Sequence, residues 1–383
     1  MKNSISSLKN CANCGACYNI CPTQAITVKD EMFFRPEVDE EKCISCGRCV
    51  SVCPVNNEKK AQNISHAYAV IHKDPAVIQS SSSGGAFSAF AEYILSQGGV
   101  VWGSSYDECF DNVVFKNTDE VNLEHLRRSK YVESQVGNSF RKVKDILKSG
   151  RMVLFCAAPC QIAGLKEYIG SDDKNLYTCD FSCGGLPSHT LYREWIEYLR
   201  KKYKSQICAV NFRSKYFGWG TYAVHVKLKN GKQYLKPAVN DPYFSAFVSS
   251  KASIRDYCCD CKFSDNHYSD LILADFWLYK KFDGFANNHT GISLVLVNSE
   301  KGETLLHESS CNIQLKEIDL KKAMYNICPT CMKESKRKIR DAFLSSAEEN
   351  GLKEASKKWC QAGKVSQVAY TCKLYIKKIL GDR

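Results

Sequence analysis

A chain of 383 residues, at roughly 150 residues per domain, has length for two or three domains with buried cores. Its 25% charged and 44% hydrophobic residues exclude a disordered chain, and its longest apolar runs, 152–159 and 292–297, are strand-sized, which excludes a helical membrane span. The formal charge of +12 leaves nucleic acid, a membrane surface or an acidic partner open. The 22 cysteines, with no hydrophobic leader in the first ten residues, instead indicate reduced thiols in the cytoplasm, where such density means metal or redox chemistry.

Residues 1–57 form a cysteine-dense segment built on an internal repeat, and the polar stretch Asn56–Asn63 reads as a linker. Strand–helix alternation follows. His66–Ile71 and Gly99–Ser104 read as strands, with a helix between them carried by Phe87, Phe90, Ala91, Ile94 and Leu95. A second helix spans Phe140–Lys148, Arg151–Ala157 and Leu176–Phe181 are buried strands, and Leu191, Trp195, Tyr198 and Leu199 mark a long amphipathic helix. The period then shortens. Tyr222–Leu228 alternates, Asn230-Gly231 signals a hairpin turn, and Lys232–Leu235 returns. Leu271–Ala274 and Ser293–Val297 are further strands, and the basic stretch from Lys333 onward is helical. The expected architecture is α+β / α/β. A small ferredoxin-like module (1–57) precedes a larger mixed α/β domain in two parts (65–150 and 151–335) with an antiparallel insertion, followed by a basic helical tail (336–383).

The repeat carries the strongest chemistry. Cys11-Ala-Asn-Cys14-Gly-Ala-Cys17-Tyr-Asn-Ile-Cys21-Pro22 matches Cys43-Ile-Ser-Cys46-Gly-Arg-Cys49-Val-Ser-Val-Cys53-Pro54 position for position. C-x2-C-x2-C-x3-C-P is the run of two-cluster bacterial ferredoxins: three close thiolates take three corners of a cubane, and the fourth serves the other cluster. One [4Fe–4S] cluster is therefore expected on Cys11, Cys14, Cys17 and Cys53, and a second on Cys43, Cys46, Cys49 and Cys21. Structural zinc, the alternative, calls for separated Cys-x2-Cys pairs.

Ser80-Ser81-Ser82-Ser83-Gly84-Gly85 opens into a helix, where hydroxyls, free N–H groups and the helix dipole suit a pyrophosphate. A flexible loop with ordinary capping is the competing reading, and no G-x-G-x-x-G fingerprint occurs. In Arg127-Arg128-Ser129-Lys130-Tyr131 three cations beside an aromatic could clamp phosphate or form a solvated helix end. Cys160 and Cys183 each follow a strand, and Cys258 and Cys261 form a Cys-x2-Cys pair; these four could gather, or Cys160 could be a lone reactive thiol. Cys328 and Cys331 read as non-ligands, and Cys109, Cys156, Cys179, Cys208, Cys311, Cys360 and Cys372 as small hydrophobes.

From about residue 65 to 345 the chain resembles the beta subunits of coenzyme F420 hydrogenases and dehydrogenases. The carrying motifs are SSSGGAFSAF (81–90), RRSKYVES (127–134), APCQIAGLK (158–166), DFSCGGLPS (180–188), VNFRSKYFGW (210–219), CCDCKF (258–263) and SDLILADFW (269–277). It departs from that pattern at Arg128 and Ala274, where the family has glycine, and at Gly184, where it has histidine. The resemblance implies FAD and a third [4Fe–4S] cluster on Cys160, Cys183, Cys258 and Cys261. The Ser/Gly loop and its matching motif together place Ser82, Ser83, Gly84, Gly85 and Lys130 in the flavin pocket. The expected function is an iron–sulfur flavoprotein oxidoreductase in the cytoplasm that pairs single electrons at FAD. Its two-electron substrate is coenzyme F420 or another small molecule, since relatives of this kind also occur beside polysaccharide-synthesis enzymes. The +12 charge then favours an acidic redox partner protein over nucleic acid, for which no motif is present. The alternative is a non-catalytic electron-transfer subunit docked on a partner enzyme.

Overall fold

The structure, a computed structural model, describes residues 5, 10–57, 63–281, 290–325, 327 and 332–380. The cysteine-dense segment holds a hairpin of β1 (Ile26–Lys29) and β2 (Arg35–Val38) between two short helices, Ala16–Ile20 and Arg48–Ser51. The first half of the large domain carries β3 (His66–His72), β4 (Val100–Tyr106), β5 (Val113–Thr118), β6 (Ser134–Gln135), β7 (Val153–Cys156) and β8 (Leu176–Phe181). An antiparallel unit, β9 (Ile207–Ser214), β10 (Ala223–Leu228) and β11 (Gln233–Pro237), comes next. Finally β12 (Leu271–Asp275), β13 (Ser293–Val297) and β14 (Ile313–Glu317) return to the main sheet.

That sheet has nine strands in the order β14-β3-β13-β12-β8-β7-β4-β5-β6. Its centre, β12-β8-β7-β4, is parallel; the β14-β3-β13-β12 flank is antiparallel, and on the other flank β5 is antiparallel to β4 and β6 parallel to β5. Strands buried on both faces read as continuous apolar runs, which is why Val153-Leu-Phe-Cys156 carries no polar alternation. The two faces still separate residue by residue. Val153 and Phe155 pack with Val100, Trp102, Phe140, Ile162 and Leu165. Leu154 joins Val101, Phe90, Ile94 and Leu306 on the opposite face. Cys14, Ala16 and Val52 of the cysteine-dense segment belong to the first of these cores, so this module is seated in the hydrophobic interior of the α/β domain. The three-stranded sheet packs with helices His189–Tyr203, Pro242–Val248, Glu334–Asn350 and Leu352–Trp359 around a separate core that includes Trp195, Phe212, Tyr243 and Phe343.

The expected strands and helices between residues 65 and 300 are present, with ends shifted by a few residues. The hairpin β1–β2, the strands β5, β9 and β14 and the helix Pro242–Val248 are additions to the sequence reading. Cys160 does not simply trail a strand: it lies in the first turn of the helix Pro159–Ile169, which Pro159 starts. Cys258 lies within, and Cys261 just after, the 3-10 turn Asp256–Asp260, which follows the antiparallel unit in the chain.

Candidate functional site

The two cysteine repeats have the same backbone. Asn13 and Ser45 have φ of 54° and 53°, and Gly15 and Gly47 have φ of 87° and 73°. Two left-handed residues per run curl the chain so that successive thiols turn to one side before the short helix begins; glycine adopts that conformation without strain. Main-chain N–H groups reach the sulfurs, Asn13 N donating to Cys11 Sγ and Ala25 N to Cys21 Sγ, each at 3.3 Å.

The thiols form three groups. Burial pushes Cys14 up to about 12, with the charges of Cys11 and Cys53 adding to it. Cys17 is raised by burial and then by Cys14, Cys11 and Cys53. Cys21, from the first run, lines one small cavity with Cys43, Cys46 and Cys49 of the second, closed by Ile26, Val38 and Ile44. The third group is Cys160, raised by burial and then by Cys261, Cys183 and Cys258; Cys183 is pushed up to about 11 by burial, with Cys261 adding. β7 and β8 are parallel neighbours, so the loops beyond their carboxyl ends deliver Cys160 and Cys183 to the same crevice. Sets of buried thiols that raise one another's pKa favour a ligand supplying positive charge, as iron does. Among the described residues no three or more His, Cys, Asp or Glu side chains close on a single-ion position. A cubane instead takes one thiolate per iron corner, so its sulfurs stand apart around it.

The first and third groups adjoin. Cys160 also feels Cys14, and its Sγ lies 3.8 Å from Ala12 O. A Cβ on Gly164 would stand 3.0 Å from both Cβ and Sγ of Cys14. Arg255, buried between them, donates to Cys11 O at 2.5 Å and to Phe34 O, and its Nη2 pairs with Glu133 Oε1 at 2.8 Å. Glu133, fully buried, also accepts from Asn13 Nδ2 at 3.1 Å and Phe34 N at 3.0 Å. His189 bridges Glu133 (3.3 Å) and Asp30 (2.8 Å) and stacks on Phe34 at 3.4 Å. Both its nitrogens are thus engaged by carboxylates.

The Ser/Gly loop and the basic segment come together. Ser82 Oγ accepts from Ser129 N (2.9 Å) and sits 3.1 Å from Ser129 Oγ. Ser83 Oγ donates to Ile292 O, and Gly84 N donates to Ser293 Oγ. Gly84 and Gly85 are pressed on the sheet: a Cβ would stand 2.4 Å from Val70 O at Gly84 and 2.9 Å from His72 Cβ at Gly85. Lys130 Nζ donates to Arg127 O at 2.7 Å, and burial, then Arg128, pulls its pKa down to about 7. Lys215 donates to Ile78 O and Ser83 O, and burial, then Arg213, likewise pulls it to about 7. Arg213 is buried, with Nη1 on Asp275 Oδ2 (2.7 Å) and Tyr131 OH (3.2 Å) and its plane over the Tyr222 ring at 4.2 Å. Among the described residues its Nε and Nη2 have no hydrogen-bond partner. A buried guanidinium edge left open, near a Lys215 whose charge burial disfavours, fits an anion such as a pyrophosphate, which would offset the buried positive charge. Arg213, Lys215, Arg255 and Glu133 were not singled out from sequence. The first two lie inside the VNFRSKYFGW motif, which was the available signal; Arg255 had none.

The remaining cysteines divide. Cys179 is buried and Cys156 and Cys360 are half-buried, whereas Cys109, Cys208, Cys311 and Cys372 are exposed, which corrects their reading as small hydrophobes. Cys328 and Cys331 lie outside the described residues.

Comparison with known proteins bears on both halves of the chain. Residues 150–336 match the family model for the C terminus of the beta subunit of coenzyme F420 hydrogenase/dehydrogenase. Residues 10–57 match that of a 4Fe-4S dicluster domain. Among curated proteins none matches. Among solved structures the chain is similar to one from the F420-reducing [NiFe] hydrogenase complex of Methanosarcina barkeri, at 11% identity and a TM-score of 0.47, over 76% of this chain and 96% of that one.

Proposed function

From a chain whose residues 150–336 match the C terminus of the coenzyme F420 hydrogenase/dehydrogenase beta subunit, behind a 4Fe-4S dicluster domain, we propose that the protein is an iron–sulfur flavoprotein oxidoreductase. Cys11, Cys14, Cys17 and Cys53 hold one cluster, Cys43, Cys46, Cys49 and Cys21 a second, and Cys160, Cys183, Cys258 and Cys261 a third. The loop Ser82, Ser83, Gly84 and Gly85 with Lys130 holds FAD, and Arg213 and Lys215 face its anionic part. When bound, the clusters supply one-electron steps and the flavin converts them to a two-electron step. The residues of the chain position these groups. Arg255 and Glu133 lock the ferredoxin module to the α/β domain, and Gly164 admits Cys14 to within contact of the helix that carries Cys160. The substrate is a small two-electron donor or acceptor, coenzyme F420 or another, and the +12 charge suits an acidic electron carrier.

The observation that carries this reading is the adjacency of the Cys160 group to Cys14, which makes one continuous path of thiol sets out of residues distant in sequence. Anaerobic purification tests it. About twelve irons by four-iron counting and one FAD per chain are expected, with donor-dependent bleaching of both chromophores. About eight irons and no flavin would reduce the protein to a two-cluster electron relay.

A further inference from the structure

The helix Lys364–Ile379 is the last among the described residues, and only one side of it meets the protein. Leu374 is buried, Gln367, Tyr370 and Thr371 are half-buried, and Asn240 Nδ2 donates to Gln367 O and Thr371 Oγ1, each at 3.1 Å. The opposite side is aliphatic and open. Val365, Val368, Ile376, Ile379 and Leu380 are between 56% and 85% exposed, with exposed Cys372 among them. Their spacing of three and four residues makes one continuous stripe at 3.6 residues per turn. On the same wheel Lys364 falls on one border of the stripe and Lys373 on the other. Lys377 and Lys378 lie further round toward the protein, and no Asp or Glu occurs from 364 to 380.

Single exposed aliphatic residues need no explanation, but a stripe of them bordered by cations does. We propose that this helix lies in the interface of an anionic phospholipid surface, with Val365, Val368, Ile376 and Ile379 entering the headgroup boundary and the lysines meeting lipid phosphates. Charge selects this occupant. Two copies of the helix face to face would bring lysine borders against lysine borders, with no carboxylate on either to offset them. A bilayer rich in anionic lipid offers an apolar interior and a negative rim in the geometry this face presents. The helix binds along the surface and does not cross it, since no helix among the described residues is long and apolar enough to span. This placement is independent of the redox assignment.

The test is co-sedimentation of the full, anaerobically purified chain with vesicles of phosphatidylcholine alone and of phosphatidylcholine mixed with phosphatidylglycerol. Binding is expected only to the mixed vesicles and should weaken as salt rises. The double variant Ile376→Glu, Ile379→Glu should lower the partition coefficient about tenfold or more, and Lys364→Gln with Lys373→Gln should lower it on mixed vesicles. Iron and flavin content should stay unchanged in both, because these side chains are exposed. Equal pelleting with both vesicle types, or none with either, overturns the proposal. So does a wild-type dimer in light scattering that the Ile376→Glu, Ile379→Glu variant converts to monomer, since the stripe would then be covered by a second copy.

Discussion

Arg255 shows how much one buried side chain can hold. Its guanidinium joins two main-chain carbonyls of the ferredoxin module to a carboxylate of the α/β domain, with almost no access to water. Arg255→Met would leave the Glu133 charge buried and without its main counter-ion, which costs about 3–5 kcal/mol. Denaturant unfolding should show that loss, whereas Arg337→Met at the exposed pair with Asp260 should lie within about 1 kcal/mol of wild type. Lys130 and Lys215 make a prediction of opposite character. Each is held at about 7 against 10.5 for a free lysine, so between about pH 7 and 10.5 the unfolded chain binds more protons than the folded one. The cost of burying these two groups is therefore fully present below about pH 7 and is relieved as pH rises through that window. An anionic ligand works the other way, because it is held best by the charged lysines. FAD affinity of the apoprotein, followed by flavin fluorescence, should fall as pH rises above about 7, and Lys130→Met with Lys215→Met should flatten the profile. Arg128 is a third case. Its φ of 72° is the left-handed conformation that glycine adopts freely and a side chain does not.

At the scale of elements, the helix Pro159–Ile169 does two things at once. Its first turn carries Cys160, and one turn later Gly164 receives Cys14. Gly164→Val would place methyl groups where Cys14 Cβ and Sγ now sit, an overpacking cost of about 1–3 kcal/mol. The expected signature is specific to the contact: iron content persists, but the spin–spin broadening between neighbouring reduced clusters in EPR diminishes as the module moves away. Unchanged broadening would separate Gly164 from cluster spacing. Elements also show where periodicity stops being legible. β7 and β13 are buried apolar runs and read directly. β9 does not, because its far end buries Arg213 and Ser214, and among the described residues the one ion pair of the Arg213 side chain is with Asp275, distant in sequence. β14 is an edge strand whose exposed Gln314, Lys316 and Glu317 leave too little apolar pattern to recognise.

For the whole molecule, the three thiol sets make separable predictions. Cys258→Ala with Cys261→Ala should remove about four of twelve irons while the ferredoxin signals remain. Cys53→Ala should disturb the cluster of the Cys11, Cys14 and Cys17 set, although Cys53 lies in the other run; loss of the Cys43, Cys46 and Cys49 cluster instead would show that each run closes on itself. Iron analysis with EPR of the reduced proteins distinguishes these outcomes.

The cysteine repeat and the main strands of the sheet were legible in the sequence alone because their causes are local: ligand spacing, left-handed turns and hydrophobic period act within a dozen residues. The Cys160, Cys183, Cys258 and Cys261 set was suggested by motif order, but nothing local makes residues nearly a hundred positions apart converge. Only the tertiary structure decided three things. Parallel pairing of β7 with β8 brings two of those cysteines to one crevice. The fit of Cys14 against Gly164 and the Glu133–Arg255 pair seat the ferredoxin module in the larger domain's core. The close packing of Gly84 and Gly85 on the sheet explains two glycines that a phosphate loop would also require. Each depends on the desolvation of charges or on atom-to-atom clearance between segments distant in the chain, and a linear sequence encodes neither in any local pattern.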